Sequence, residues 1–426
     1  MKKGLLVYLS LTVFLNSFSQ QKFIEVAPET QKFSAERLRR IDNMIKRYID
    51  AGKMFGATAF IARNGKIVYY RGFGYDDRQN NKPMKRDAIF RIASQTKAIT
   101  SVAVMMLYEE GKFLLDDPVS KYIHSFKNPR VLDKFNEADS SYTTVPAKRE
   151  VTIRDLLNHT SGIGYAQIGS KESNAIYAKS NIKSFYGWGS KSLAEDMQKL
   201  GTLPLMHNPG ERFTYGLNTD VLGYLVEVVS EMSLDDFFRK RIFEPLGMKD
   251  TYFYVPAEKQ NRLVTTYYAD SSGKIQKLPD EINDNGIVGI NFPKSNGTYY
   301  SGGAGLSSTI YDYAIFLQML LNGGEYDGKR ILSRHTINMM TTNQLGDSTF
   351  ADKNTFGLGF GVITEAGSGR EPASAGTFSW GGIYSTEYWV DPKEKIVGLI
   401  FKQFWNDPAS ETNQKFKVMT YAALTD

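Results

Sequence analysis

The 426-residue chain contains no cysteine and only 4 histidines. The first absence removes disulfides, thiol nucleophiles, thiolate metal sites and a lipidated N-terminal cysteine together. The histidines, His124, His159, His207 and His335, are scattered, and neither an H-E-x-x-H pair nor a G-x-S-x-G elbow occurs. A zinc hydrolase and a Ser-His-Asp hydrolase therefore both lack their usual carriers. His159 reads as a buried hydrogen-bonding residue, and no metal or cofactor is implied. Long basic runs with interleaved aromatics are missing too, which speaks against nucleic acid despite a formal net charge of +6. Apolar runs are short: residues 5–15 fall below the length that spans a bilayer, and nothing comparable follows.

That first run has a different reading. Lys2 and Lys3 precede it and Ser17-Phe-Ser19 follows as a small-x-small cleavage site, so residues 1–19 resemble a secretory signal peptide. The expectation is an exported protein, periplasmic or extracellular, with no stable membrane insertion after cleavage. Hydrophobic content of 42% and charged content of 23% are ordinary for a soluble globular enzyme. The length suits one composite domain or two intimately joined ones.

The stretch that organises the rest is Phe90-Arg-Ile-Ala-Ser-Gln-Thr-Lys97 with the apolar run behind it. Nearly every residue over 98–107 is apolar, which describes a buried helix, and Gly111 suits its left-handed stop. Ser94 stands where a cap would stand. A capping box wants Glu or Gln three residues on, whereas this helix opens with Lys97. A cation in the first turn opposes the helix dipole by roughly 0.3–1 kcal/mol. A local rule broken without evident gain points to function. At i, i+3 the two side chains share a face, so the amine can bond the hydroxyl and take its proton. The S-x-x-K spacing alone is weak; it recurs at Ser19/Lys22, Ser180/Lys183 and Ser271/Lys274, none of which opens a buried helix.

Taken in order, the chain predicts an amphipathic helix from Ser34 to near Gly52, then β-rich runs at 57–63 and 67–71 joined by Asn64-Gly65, a hairpin signal. Beyond Gly111 it reads as mostly helical, with a short helix at 151–159 and a long loop or lid at 165–192. Helical periods follow at 222–229 and 234–243, then a loop-rich stretch to residue 300 and a helix at 309–321. Strands are expected at 356–362, 386–390 and 396–401, and a closing helix at 410–424. The order predicts an α+β sandwich: an antiparallel sheet built from both chain ends (20–85 and 300–426) with a mainly helical insertion (86–299) and the site at their interface.

Two further stretches bear on chemistry. Pro209-Gly-Glu-Arg-Phe-Thr-Tyr215 presents Tyr215 just before a helix, as a second base or proton shuttle. One tyrosine among 25 is by default a packing residue. Phe378-Ser-Trp-Gly-Gly382 offers glycines that let backbone N–H groups approach a substrate, or simply bend a strand.

Together with Leu156-Leu-Asn-His-Thr-Ser-Gly162, Tyr215-Gly-Leu-Asn-Thr-Asp-Val-Leu-Gly223, Gly302-Gly-Ala-Gly-Leu-Ser-Ser-Thr309 and Phe356-Gly-Leu-Gly-Phe-Gly361, these stretches resemble the serine β-lactamase-like family over roughly residues 35–405. That family comprises class C β-lactamases, DD-peptidases and related esterases. The resemblance implies Ser94 as nucleophile, Lys97 and Tyr215 as its proton relay, and the backbone N–H groups of Ser94 and Ile383 as oxyanion hole. Trp380, Gly381, Gly382 and Asn218 would meet the substrate.

Two positions depart from the family pattern. Leu217 holds the third place of the Tyr-x-Asn motif, with Asn218 next, and Trp380-Gly381 stands where β-lactamases carry Lys-Thr or His-Thr. An indole there favours an apolar or neutral acyl group by contact area. The expectation is an esterase acting through an acyl-enzyme on a small ester, amide or peptide. D-peptidase, DD-carboxypeptidase or weak β-lactamase activity is the alternative, and a catalytically silent binding protein the alternative of another class.

Overall fold

The computed structural model describes residues 22–182, 192–279, 290–347, 350–351 and 353–426; the leader expected at 1–19 lies outside the described residues. After a short edge strand, β1 (Ile24–Glu25), Ser34 caps α1 (Ala35–Asp50) by accepting the Arg37 N–H at 3.2 Å. Leu38, Ile41, Met44 and Ile45 form the buried stripe of that helix. Asn64 and Gly65 make the expected hairpin turn between β2 (Gly56–Arg63) and β3 (Lys66–Asp77). Both hold positive φ, 52° and 71°, as a two-residue turn between right-twisted strands requires.

Further along come β4 (Ile89–Arg91), α2 (Thr96–Glu109), the hairpin β5 (Arg130–Asn136) and β6 (Ser141–Pro146), α3 (Ile153–Leu157) and α4 (Lys171–Lys179). Next are α5 (Asn218–Ser230), β7 (Ser307–Thr309) and α6 (Ile310–Leu321). The C-terminal part supplies β8 (Thr355–Phe356), β9 (Gly361–Val362), β10 (Phe378–Gly382), β11 (Thr386–Asp391), β12 (Ile396–Phe401) and α7 (Glu411–Ala422).

The main sheet runs β1-β3-β2-β12-β11-β10-β9-β8, with Lys82–Pro83 pairing onto β3. Every neighbouring pair is antiparallel except β1 with β3. The sheet joins both chain ends, as the α+β reading expects, and its alternation divides the core. Ala57, Ala59, Ile61, Trp389, Ile396 and Ile400 pack with α1 and α7; Phe60, Ala62, Tyr388, Val397, Leu399 and Phe401 join the larger core that holds α2 and α6.

Three expectations need correction. The loop at 165–192 contains α4, capped by Ser170; with Ile176 and Tyr177 as its buried apolar residues it carries little helical period, and 183–191 lie outside the described residues. The stretch after Gly111 contains the β5–β6 hairpin, whose residues are mostly exposed on both faces and so show no apolar alternation. The single strand expected at 356–362 is two short strands joined by a bend. Gly359 there holds φ 99°, and a Cβ on it would sit 2.3 Å from Ser101 Oγ of α2.

Candidate active site

The segment leading to Ser94 is held by a second, smaller sheet. Arg91 of β4 pairs with Ser307 of β7, and the Ile92 N–H donates to Leu306 O at 3.0 Å. Buried Arg91 anchors the strand by donating to Ile290 O and Val264 O, each at 2.8 Å. A 3-10 turn, Ala93–Gln95, then runs into α2. Ala93 carries φ 44°, a left-handed conformation that costs an alanine about 1–2 kcal/mol. Ser94 makes no capping bond; its side chain is left for other partners, so the cap reading fails. Every residue of α2 from Thr96 to Leu107 is buried, which fixes the helix against rotation.

Ser94 Oγ is the meeting point. The Tyr215 hydroxyl donates to it at 2.8 Å and Lys97 Nζ donates to it at 3.2 Å. Lys97 is 2% exposed, and its Nζ also donates to Gly303 O at 2.6 Å. It lies 4.9 Å from the centre of the Tyr215 ring and 5.7 Å from that of Tyr165. The Gly303 peptide is gripped from its other side: its N–H donates to Asp220 Oδ1 at 3.2 Å, and Ser301 Oγ donates to the same oxygen at 2.6 Å. A Cβ on Gly303 would stand 2.3 Å from Asp220 Oδ2. Burial pushes the Asp220 carboxyl up, against the pull of Lys97. Gly303 thus links the buried Asp220 carboxyl group to buried Lys97 Nζ.

Asp220 was not singled out by sequence reasoning. It sits in the first turn of α5, where an acid reads as ordinary helix-dipole compensation.

Tyr215 is set in place by the turn at 159–164. Thr214 N–H donates to His159 O at 2.7 Å, Met206 N–H to Gly162 O at 2.8 Å and Leu217 N–H to Gly164 O at 3.1 Å. The two backbones are so close at Gly216 that a Cβ would lie 1.9 Å from Ile163 O. His159 is buried with its ring 5.0 Å from that of Tyr215. Asn218 Nδ2 donates to His159 Nδ1 at 2.9 Å, and Asn218 Oδ1 accepts from Ser161 Oγ. Burial, with Lys97 nearby, holds the imidazole pKa well below its usual value and so keeps it neutral. Asn218, expected to meet substrate, is 0% exposed and spent on this bracket; its side chain faces the interior.

The fourth wall is β10. Trp380 packs on Tyr215 (ring centres 5.5 Å apart), Phe356 (5.3 Å) and Phe350 (5.6 Å), and its Nε1–H donates to the Tyr215 oxygen at 3.4 Å. Gly382 admits the close approach of β10 to the Ser94 segment, since a Cβ there would lie 2.4 Å from Ile92 O. Ile383 follows and packs beside Ala93 and Ala304. Among the described residues its N–H has no backbone acceptor.

Two cavities flank this group. One, of about 590 Å³, runs from Tyr215 past Thr214 and Met206 to β5 and the start of α4. The other, of about 500 Å³, lies behind Trp380, Gly381 and Ile383. Among the described residues no cluster of three or more His, Cys, Asp or Glu side chains is arranged to hold a metal ion, and no helix is long and apolar enough to cross a membrane.

Comparison with known proteins agrees with this architecture. The solved structure of EstCE1, a hydrolase with promiscuous acyltransferase activity, superposes with a TM-score of 0.77 at 26% identity, covering 90% of this chain and 98% of its own. Esterase EstB of Burkholderia gladioli is 30% identical over 86% of this chain and 89% of its own. Protein Rv1367c of Mycobacterium tuberculosis is 34% identical over 85% and 89%. The sequence model of the Beta-lactamase family matches residues 41–418, and the chain belongs to that family of hydrolases.

Proposed function

We propose that the chain is an exported serine hydrolase that cleaves esters through an acyl-enzyme on Ser94. The observation that carries this is the convergence of the Tyr215 phenol oxygen and Lys97 Nζ on one serine oxygen. Ser94 Oγ attacks the ester carbonyl carbon while one of these two groups in its basic form, the Lys97 amine or the Tyr215 phenolate, takes the serine proton; the same group then gives that proton to the oxygen of the departing alcohol as the ester C–O bond breaks. The carbonyl oxygen gathers charge between the N–H groups of Ser94 and Ile383, the first at a helix N-terminus; one such donor is worth about 2.7–4 kcal/mol. Water then attacks the acyl carbon, and the same group takes its proton and returns it to Oγ as the acyl–Oγ bond breaks.

Support for an ester substrate comes from Trp380-Gly381, which offers neither cation nor hydroxyl to a substrate carboxylate, and from the 30% identity to a protein named as an esterase. Export rests on the leader-like residues 1–19.

A serine-directed fluorophosphonate should add one adduct, mapped by peptide mass spectrometry to Ser94 and lost in Ser94→Ala. Labelling unchanged in that variant would defeat the assignment. A panel of p-nitrophenyl esters, a chromogenic cephalosporin and D-Ala-D-Ala peptides ranks the substrate classes; a peptide or cephalosporin turned over faster than every ester would replace the esterase reading.

A further inference from the structure

Asp220 does little for the start of the helix that carries it. The acid of a capping box reaches back to the N-cap N–H, but the Leu217 N–H goes to Gly164 O at 3.1 Å and no side-chain cap forms. An acid that merely answered the helix dipole would do so from water. Asp220 is buried, and burial pushes its carboxyl up, against the pull of Lys97 and the bonds from Ser301 and Gly303. A polar group kept out of water without local gain points to a task elsewhere.

That task lies in the segment before β7. Residues 301–306 lie between α2 and α5, and Gly302 lets them in, since a Cβ there would stand 2.6 Å from Thr219 O. On the α2 side, Thr100 Oγ1 donates to Gly302 O at 2.7 Å, Lys97 Nζ to Gly303 O at 2.6 Å, and the Leu306 N–H to Thr96 Oγ1 at 3.1 Å. On the α5 side, Asp220 Oδ1 accepts both the Gly303 N–H and the Ser301 hydroxyl. Ser301 Oγ in turn accepts the Ala304 N–H at 3.0 Å, and that N–H shares a peptide unit with the Gly303 carbonyl. A continuous line of hydrogen bonds therefore runs from Asp220 through Ser301 and the Gly303–Ala304 peptide to Lys97 Nζ, ending on Ser94 Oγ. Bonds in such a line polarise one another, so what lies behind the peptide strengthens the carbonyl in front of it.

We propose that Asp220 and Ser301 are positioning residues that fix the Gly303–Ala304 peptide so that its carbonyl holds Lys97 Nζ against Ser94 Oγ. The inference rests on the serine hydrolase reading for its effect on turnover, and on the hydrogen bonds alone for the hold. A lysine side chain is long and flexible, so its amine stands where its partners put it. Of its two hydrogen bonds the one to Gly303 O is the shorter, 2.6 Å against 3.2 Å to the serine. An amine displaced by about 1 Å would stay buried, yet would exchange a proton with Oγ far less efficiently.

The test is a mutant cycle read on acylation by p-nitrophenyl acetate. Asp220→Ala and Ser301→Ala should each lower the acylation rate at least about tenfold, with the half-saturating ester concentration moved by no more than about twofold. Asp220→Asn should recover most of the loss, because its Oδ1 can accept the same two bonds. In a Lys97→Ala background Asp220→Ala should lower the remaining rate by no more than about twofold, since it acts through that lysine. An equal drop in both backgrounds, or wild-type acylation by folded Asp220→Ala, would overturn the proposal. If Asp220→Ala does not fold, Ser301→Ala carries the cycle by the same criterion. Crystal structures read the hold without any chemistry: Lys97 Nζ should stand beyond hydrogen-bond distance of Ser94 Oγ in the alanine variant and within it in Asp220→Asn. The two readings therefore fail separately. A lysine displaced in a protein without Ser94-dependent turnover removes the hydrolase reading and keeps the hold; Ser94-dependent turnover that ignores Asp220→Ala, with Lys97 in place, does the reverse.

Discussion

Tyr215 and Ser94, 121 residues apart in the chain, are joined by a 2.8 Å hydrogen bond, and Lys97 reaches the same serine oxygen from the helix turn behind it. Lys97→Ala and Tyr215→Phe should each lower the acylation rate by about two powers of ten or more. Acting on one proton, they should not add: the double variant should lose much less than the product of the single losses. Pre-steady-state acylation by a p-nitrophenyl ester reads this directly, and strictly multiplicative losses would separate the two residues.

Trp380 touches Tyr215 and lines the cavity beside it, so on the proposed reading it should govern which substrate is preferred. Trp380→Lys with Gly381→Thr should move the ratio of kcat/KM values from short neutral esters toward a cephalosporin, since a charge-assisted bond to its carboxylate is worth about 1.5–3 kcal/mol. The melting temperature should fall at the same time, because Tyr215, Phe350 and Phe356 lose an aromatic neighbour. An unchanged ratio with lowered stability would leave Trp380 as packing alone.

His159 should make stability sensitive to acid. Its folded pKa lies well below 6.5, so below that pH the unfolded chain binds a proton that the folded chain refuses. The contribution is complete above 6.5 and is lost, by up to about 1.4 kcal/mol per pH unit, as the pH falls toward the folded value. Asp312 runs the opposite way: burial pushes it up to about 6, so acid favours its folded form. Wild-type behaviour is the difference of such terms, and His159→Gln isolates one of them. Urea midpoints taken near pH 7.5 and 5.5 should show the acid-side loss shrinking by about 1 kcal/mol in the variant. An identical slope would place the sensitivity elsewhere.

Gly216 is where two backbones touch. Gly216→Ala would put a methyl 1.9 Å from Ile163 O and should cost about 1–3 kcal/mol in stability. Because the displaced residue is the neighbour of Tyr215, fluorophosphonate labelling of Ser94 should slow even well below the melting temperature. Labelling at the wild-type rate would mean that the shift is absorbed on the Ile163 side.

The sequence reveals those parts of this molecule that local rules govern. The Ser34 cap, the Asn64-Gly65 turn and the buried run behind Lys97 are each decided within a few residues, and each stands in the structure as expected. So does the sheet built from both chain ends. The β5–β6 hairpin escaped because neither face is buried, and α4 because its few apolar residues carry little period. At the candidate site, Ser94, Lys97 and Tyr215 stand out in the sequence as residue types out of place or in a motif, and the structure brings their side chains into hydrogen-bond contact. Asp220 and the Gly303 peptide do not stand out: an acid in a first turn and a glycine in a loop have common local explanations, and only their long-range contact with Lys97 distinguishes them. Asn218 misled for the converse reason, since its place beside a functional motif does not show that its side chain turns inward.

The hydrogen bonds that gather around Ser94 span long stretches of chain: 121 residues to Tyr215, and 206 between Lys97 and Gly303. Closing such loops is slow compared with forming a helix, and the reactive geometry exists only once all of them are closed. The order of events on refolding is therefore set. After dilution from urea, far-ultraviolet circular dichroism should recover first, while labelling of Ser94 by a fluorophosphonate should return in a later phase, which would make that labelling a clock for the last step of assembly.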